Sequence, residues 1–553
     1  MMLKKFFSCF MAAAIAAAGL ITGNYSYISI DSAAADSYLS APASTDVLKE
    51  SAYVTWTPVS GADGYNVYCK PIGGSYVQLD SMLIRQYSGY FRADAVGLKP
   101  GSYVMKVVPT ADGKEDTSKA VESDAITVGS YDRSGFAFSK NSPNGGTGVG
   151  AYNDDGTLKD DAIVLYLTEE TKKTMKFDVK GSSGYVSCTG LVEILDAYSD
   201  GYDSRPLNIR IIGKVTADGV VGANSDTNNL NLKTNNTKRI VKNITIEGIG
   251  DDAVCYGFGI RGLKIQSVEI RNIGIMLFGD DGIAFETANK NIWVHNNDIF
   301  YGTAGGDADQ AKGDGSLDLK NDSQYFTISY NHFWDSGKMS LCGMKSETGE
   351  NWITYHHNWF DHSDSRHPRI RTMSVHVYNN YYDGNAKYGV GAVLDADAFV
   401  EANYFRNCKY PMLICGQGSD TGTFDDGVGA MIKSYGNYIE GAKSYITQNE
   451  SSTSFDAYEV SSRNEKVPDS VKSLDGMGYN NFDTDSSIMY SYTADAAADV
   501  PAIVMSEAGR LGGGDFNFEF TSADDEDYAV NTALMAQIKS YTSPVIALSL
   551  IHI

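Results

Sequence analysis

Between residues 280 and 371 the sequence sets acids and then bases on successive short segments. The acidic group reads Asp280-Asp281-Gly282-Ile283, then Asp314-Gly315-Ser316-Leu317-Asp318-Leu319-Lys320. Side chains of an extended strand alternate between faces, so Asp318 and Lys320 share one face while Asp314 lies in the approaching turn. Carboxylates converging on one surface at variable separation suit a hard cation that takes oxygen ligands, and Ca2+ is the natural candidate. Solvated acids on an acidic chain would look the same, so the residue types alone leave both readings open.

The second group is basic. Lys338 lies in GKMSLCG, and Ser365-Arg366-His367-Pro368-Arg369-Ile370-Arg371 follows, with Lys338 and Arg366 28 positions apart. Arg366 and Arg371 flank Pro368 ahead of the segment SVHVYNN. Cations crowded together without intervening acids repel one another until an anion arrives. An anion site therefore explains this group better than a solvated turn does.

These residues need a scaffold that brings distant segments to one face. Short strand-like segments recur around them, several with an Asn beside an aromatic: NIWVHNNDIF, YFTISYNHFW, WITYHHNWF, SVHVYNNYY and AFVEANYF. Their asparagines, Asn297, Asn331, Asn358, Asn380 and Asn403, are separated by 34, 27, 22 and 23 residues. Repeats of this size with variable insertions indicate a solenoid, and strands so short predict an all-β, right-handed parallel β-helix. Asn suits each bend because it tolerates left-handed geometry and bonds through its side chain, giving a stacked ladder. A helix-like segment, 190–197, precedes the strand-like 207–212. A sandwich or propeller fits less well, since the turns vary in length and no blade-sized repeat appears.

Residues 40–128 have a different period. SAYVTWTPV, GYNVYCKPI and GSYVMKVVPT alternate as short strands between turns, Trp56 sits where an inward anchor would, and Leu98-Lys99-Pro100-Gly101-Ser102-Tyr103 could form a tyrosine corner. This stretch resembles a fibronectin type III β-sandwich, which implies either carbohydrate or surface binding or a plain spacer. The expected organisation is a leader over 1–35, the sandwich over 40–128 and a β-helix over 130–545.

Residues 243–405 resemble the pectate lyases of polysaccharide lyase family 1. NITIEGIG, DGSLDLKNDSQYFTISYNHF, Lys338-x-x-Leu341-x-Gly343, ETGENWITYHHNWF and SRHPRIRTMSVHVYNNYY match that family's motifs in order and spacing. The resemblance implies a parallel β-helix whose Ca2+ bridges carboxylates of protein and polygalacturonate. By position, Arg366 corresponds to the proton-abstracting residue, Lys338 and Arg371 to groups that bind substrate and stabilise charge, and Lys320 to a substrate contact. Asp281, Asp314 and Asp318 fall on calcium-ligand positions, and Asp280 stands in for an acid the family often carries where this chain has Gly279. Asp314 replaces a more usual Glu. The family's Trp-x-Asp-His reads Trp293-Val294-His295-Asn296 here, so a structural carboxylate is missing from that motif, and a further arginine found in some members has no match near Val393.

The implied reaction is β-elimination from polygalacturonate or pectin, with Ca2+ as cofactor and 4,5-unsaturated oligogalacturonides as products. An arginine base is unusual because guanidinium is ordinarily protonated; cations packed around it favour the neutral form, so an alkaline optimum is expected. A polygalacturonase-type hydrolase would need separated carboxylates as acid and base. FGDDGIAF resembles its double-Asp motif, but no Gly-His-Gly or Arg-Ile-Lys is present, and hydrolysis does not account for Lys338, Arg366 and Arg371. A pectin lyase acting on methyl esters would not need three acids. A non-catalytic carbohydrate-binding surface protein is disfavoured by the intact basic group. His356 and His357 read as packed or ladder residues rather than metal ligands. The tryptophans 293, 334, 352 and 359 read as filling or covering the coils, and Gly145–Gly150 reads as a loop rather than a phosphate cradle.

The opening MMLKKFFSCFMAAAIAAAGLITG has the charged, apolar and small-residue order of a secretory signal, cut near Asp36. The protein is therefore expected to be secreted and monomeric, with no membrane partner after signal removal. No later segment reaches the ~18 apolar residues of a spanning helix. Six cysteines follow the leader, widely scattered and without CxxC spacing, which suits small buried side chains better than a disulfide framework or zinc site. The net charge of −24 argues against a nucleic-acid partner. It also makes a polyanionic substrate depend on local cations and bridging Ca2+, because distant charges are screened within about 8 Å. The apolar ending SPVIALSLIHI could form a terminal strand.

Overall fold

The recurring short strands stack into coils, each strand hydrogen-bonding to its counterpart one coil away. The computed structural model describes residues 38–548 apart from 44–45, 145–146, 224, 226, 346, 349–350, 424–426 and 428. The expected leader, Cys9, Gly145-Gly146 and the last five residues lie outside the described residues. Among the described residues the coils form three parallel sheets of eleven, nine and eight strands, which is a parallel β-helix. One coil runs Gln324–Ser329, His332–Trp334 and Leu341–Cys342; the next runs Trp352–His356, Trp359–Asp361 and Arg369–Arg371.

Inward positions repeat in register, so apolar side chains stack in columns. Ile270, Val294, Ile328, Tyr355, Val377 and Val400 are successive ladder partners in the first sheet, and each is fully buried. Removing such a side chain from water contributes about 1.5–3 kcal/mol. Outside the coils, a hairpin of Lys176–Gly181 with Gly184–Thr189 and a helix, Leu191–Tyr198, cover the early end. The six described cysteines are buried and none forms a disulfide. No helix among the described residues is long and apolar enough to cross a membrane.

The asparagine ladder forms between the first and second sheets. Asn297 Nδ2 donates to Asn331 Oδ1 at 3.0 Å, and the chain of bonds continues through Asn358, Asn380 and Asn403 to Asn437. The expected conformation needs correcting. The left-handed residue at each bend is the one before the ladder asparagine: Asn296, Tyr330, His357, Asn379 and Ala402, with φ between 51° and 53°. The ladder asparagines are there for their amides, which join coil to coil.

Residues Leu39 to Gly129 form two largely antiparallel sheets packed face to face around Trp56, Tyr65, Val67, Met105 and Val107. Tyr103 Oη donates to the Lys99 carbonyl at 3.0 Å, closing a corner. The strand Ala547–Leu548 returns from the far end of the chain to pair with Ile84–Tyr87 in this sandwich. The two units share buried ion pairs. Glu50, 1% exposed, sits in the sandwich and contacts Arg133 at 2.5 Å and Arg271 of the β-helix at 3.3 Å, while Arg92 reaches Asp251 at 2.8 Å.

Candidate functional site

The acidic and basic groups meet on the third sheet, where its strands and approach turns lie one above another. Ile283 pairs with Leu317, Gly315 bridges Lys338, and Leu341 pairs with Arg369. The last pairing sets an offset of 28 residues at Leu341, so Lys338 and Arg366 lie on adjoining coils. In the approach turns the step is one residue shorter: Met339 N–H donates to Ser365 O and Ser340 N–H to Arg366 O, which sets Arg366 beside Met339 and so next to Lys338.

Asp280, Asp281 and Asp314 each offer a carboxylate oxygen, and the three oxygens lie within 4.8 Å of one another. Asp318 stands beside this trio rather than in it. Its Oδ1 accepts from Leu341 N–H at 2.9 Å and its Oδ2 is 3.5 Å from Lys320 Nζ. Gly315 must be glycine here, because a Cβ would lie 2.4 Å from Asp318 Oδ1. Asp281 is nearly fully buried; its Oδ1 accepts from Gly315 N–H at 3.1 Å and its Oδ2 from Lys320 at 2.6 Å. Burial, and then the neighbouring charge of Asp318, hold the Asp281 carboxyl well above the usual carboxylate range. Asp280 is raised by burial and by nearby acids in excess of the pull of Lys320. Burial works against the Lys320 ammonium, but Asp318 and Asp281 outweigh it and raise its pKa. Three clustered carboxylates, which offer hard oxygen donors within reach of one another, fit a calcium ion.

Lys338 is not the uncompensated cation expected from sequence. Its Nζ lies 2.7 Å from Asp314 Oδ1 and 3.6 Å from Asp309 Oδ2. The lengthened turn between Asp298–Ile299 and Leu317–Leu319 supplies both acids, and Gln310 Nε2 fixes Asp314 Oδ2 at 2.6 Å. Arg366 differs. It is half-buried, its backbone takes φ 66°, and among the described residues no hydrogen bond or ion pair engages its guanidinium. A left-handed L-residue costs about 1–2 kcal/mol, so Arg366 is held in place by its neighbours: its carbonyl by Ser340 and the next N–H, of His367, by Gly389 O. Arg371 ends the strand Arg369–Arg371 and pairs in register with Val393.

Two supports were missed in the sequence. Lys312, almost completely buried, contacts Asp335 at 2.5 Å and Asp364 at 2.7 Å, anchoring the lengthened turn to the two following coils. The carboxylate absent from the Trp293-Val294-His295 motif is supplied from the preceding coil, where Glu269 Oε1 lies 3.1 Å from His295 Nε2. Neither could be read from spacing, since both partners come from other coils. The tryptophans pack as expected: Trp293 stacks on His295, Trp334 and Trp359 on His332, and Trp352 against Phe136 and Phe482.

A family model described as pectate lyase matches residues 122–510, which is most of the chain and all of both charged groups. The chain belongs to the pectate lyase family. Among curated pectate lyases, a pectate trisaccharide-lyase of Bacillus licheniformis is 31% identical over 225 residues, covering 40% of this chain and 62% of that protein. Pectate lyase 3 of Pectobacterium carotovorum is 36% identical over 196 residues, covering 34% and 52%. The matched region therefore spans between about half and 62% of these relatives. A pectate lyase from Bacillus sp. N165, solved in complex with trigalacturonate, superposes with a TM-score of 0.47 and 23% identity over 68% of this chain and 99% of that one.

Proposed function

We propose that the protein is a secreted, monomeric, calcium-dependent pectate lyase that cleaves polygalacturonate by β-elimination, releasing 4,5-unsaturated oligogalacturonides. Family membership supports the reaction class. The observation that carries the site assignment is the unengaged Arg366 guanidinium, one coil from Lys338 and close in sequence register to a trio of carboxylates.

In this reading Asp280, Asp281 and Asp314 hold Ca2+, with Asp318 bracing them through Leu341 and Lys320. When bound, the ion withdraws electron density from the substrate carboxylate as a Lewis acid. Arg366 takes the proton from C5 of the uronate. The electrons of that C–H bond form the C4–C5 double bond, and the C4–oxygen bond breaks, its oxygen gaining a proton from solvent. Lys338 and Arg371 meet the negative charge that builds on the carboxylate, for which Lys338 exchanges Asp314 for substrate. Lys320 binds a neighbouring uronate.

The test is an ultraviolet assay on polygalacturonate with added Ca2+ and with excess chelator. Unsaturated product with Ca2+ and none with chelator is the expected result. Saturated reducing ends alone would assign a hydrolase, and undiminished turnover of fully esterified pectin in chelator would assign a pectin lyase. Arg366→Ala is expected to lower kcat by about 10²–10⁴, the scale of a lost general base, with the fold intact. The wild-type rate should climb from about pH 6 to about pH 10, since a guanidine base becomes more available with rising pH; a flat profile would remove Arg366 from that role.

A further inference from the structure

A second cluster of metal-ligand type lies on the outer face of the first sheet, in a different part of the fold from the acidic trio. It joins Asp132 from the segment that leaves the sandwich, His356 at the end of Trp352–His356, and His357 at the following bend. One ligand atom from each of these three residues lies within 4.8 Å of the others. We propose that Asp132, His356 and His357 bind a borderline divalent ion of the zinc type, with Asp495 orienting His357 from behind.

The hydrogen bonds leave the ligand atoms pointing at one another. His357 Nε2 is 2.9 Å from Asp495 Oδ2, so that nitrogen carries the proton and Nδ1 presents its lone pair. That Nδ1 lies 2.8 Å from His356 Nδ1. Ser134 N–H donates to Asp132 Oδ1 at 2.8 Å, which leaves Oδ2 toward His356 Nδ1 at 4.0 Å. Carboxylate, imidazole and ligand position in series is the usual support behind a metal-bound histidine. Both rings are clamped: His357 stacks on Tyr330 with centroids 4.6 Å apart and His356 on Tyr378 at 4.8 Å.

Charge points the same way. Among the described residues no lysine or arginine pairs with Asp132 or Asp495, whose carboxylates meet imidazoles, the Tyr330 hydroxyl and the Ser134 N–H. The other buried His–Asp cluster, Asp361, His362 and Asp383, differs because Arg406 already supplies a cation to Asp383. On binding, the proton between the two Nδ1 atoms moves to His356 Nε2, a buried atom with no partner, so the ring stays neutral. Nitrogen–zinc bonds of about 2.0–2.1 Å require the two nitrogens to part by only a few tenths of an ångström. Two imidazoles, one carboxylate and water select zinc, cobalt or nickel over Ca2+. Solvent reaches the site past Asp132 and Asp495, whose side chains are 34% and 44% exposed. An ion there would tie the segment after the sandwich, the sheet and the C-terminal segment together.

The full, untagged chain saturated with Ca2+ is titrated with Co2+, followed by visible ligand-field absorption, and Zn2+ is then added. One equivalent of Co2+ should give a band that Zn2+ abolishes. Asp495→Asn should weaken binding about 10–100-fold, Asp132→Asn should also weaken it, and His357→Gln should abolish the band. Should His357→Gln fail to fold, the two exposed aspartate variants carry the test. No band at one equivalent, or binding unchanged in both aspartate variants, overturns the assignment. Neither result bears on calcium-dependent cleavage, which uses a different set of residues.

Discussion

Asp281 and Lys320 exchange charge in a space that a divalent ion would also claim. Because burial and Asp318 hold the Asp281 carboxyl up, a proton competes with the cation through the neutral range. The folded-state pKa is raised, so the ionised form gains as pH rises, and calcium affinity should strengthen from about pH 6 upward until Asp281 is fully ionised. Calorimetric titration across that range checks this; an affinity independent of pH would remove Asp281 from the ligand set. Lys312 makes a separate prediction. Lys312→Met leaves Asp335 and Asp364 buried without their cation, a loss of about 3–5 kcal/mol, and frees the turn that carries Asp309 and Asp314. Thermal or denaturant unfolding should show the loss, together with weaker calcium binding than wild type.

At the scale of the coil, register was the most legible property. The step from Lys338 to Arg366 is within one residue of the offset between their coils, so counting residues placed the two cations on adjoining coils. Asn437 was missed, but five of the six ladder asparagines were visible, because four of those five sit beside an aromatic at the same bend. The left-handed positions were not, since any of Asn, Tyr, His or Ala can be forced there when neighbouring coils hold both sides. The acid partners of Lys338 also escaped notice: Asp309 and Asp314 lie in an insertion whose path cannot be read from spacing. An interior rung should matter more than an end one. Asn358→Ala leaves the buried backbone N–H of Asn331 without its acceptor and removes one bond each from Asn331 Nδ2 and Asn380 Oδ1, costing about 1–3 kcal/mol for the unsatisfied group. Asn437→Ala, at a part-buried end, should cost less. Denaturant midpoints for the two variants decide it.

Across the whole molecule, buried ion pairs fasten the sandwich to the β-helix. Glu247 is held down to about 2, since Arg271 and Arg210 together outweigh the opposing effect of burial, and Asp94 and Glu269 are also lowered by arginine neighbours against burial. Depressed carboxylates contribute stability above their unfolded pKa of about 4.5 and lose it as pH falls through the folded value. The stability that Glu247 contributes inside the β-helix should therefore persist through about pH 4–5 and be lost only in stronger acid, as acid unfolding followed by circular dichroism would report. Glu50→Gln removes the charge shared by Arg133 and Arg271 and should split a single calorimetric transition into two, at a cost of about 3–5 kcal/mol.

That fastening fixes what an accessory module can do. A domain on a loose tether raises the local supply of polymer wherever it swings. A sandwich bolted through Glu50 and Arg92 cannot swing, so any strand it grips would reach the charged face of the third sheet at one angle and one distance, and the module would act as a ruler instead of a leash.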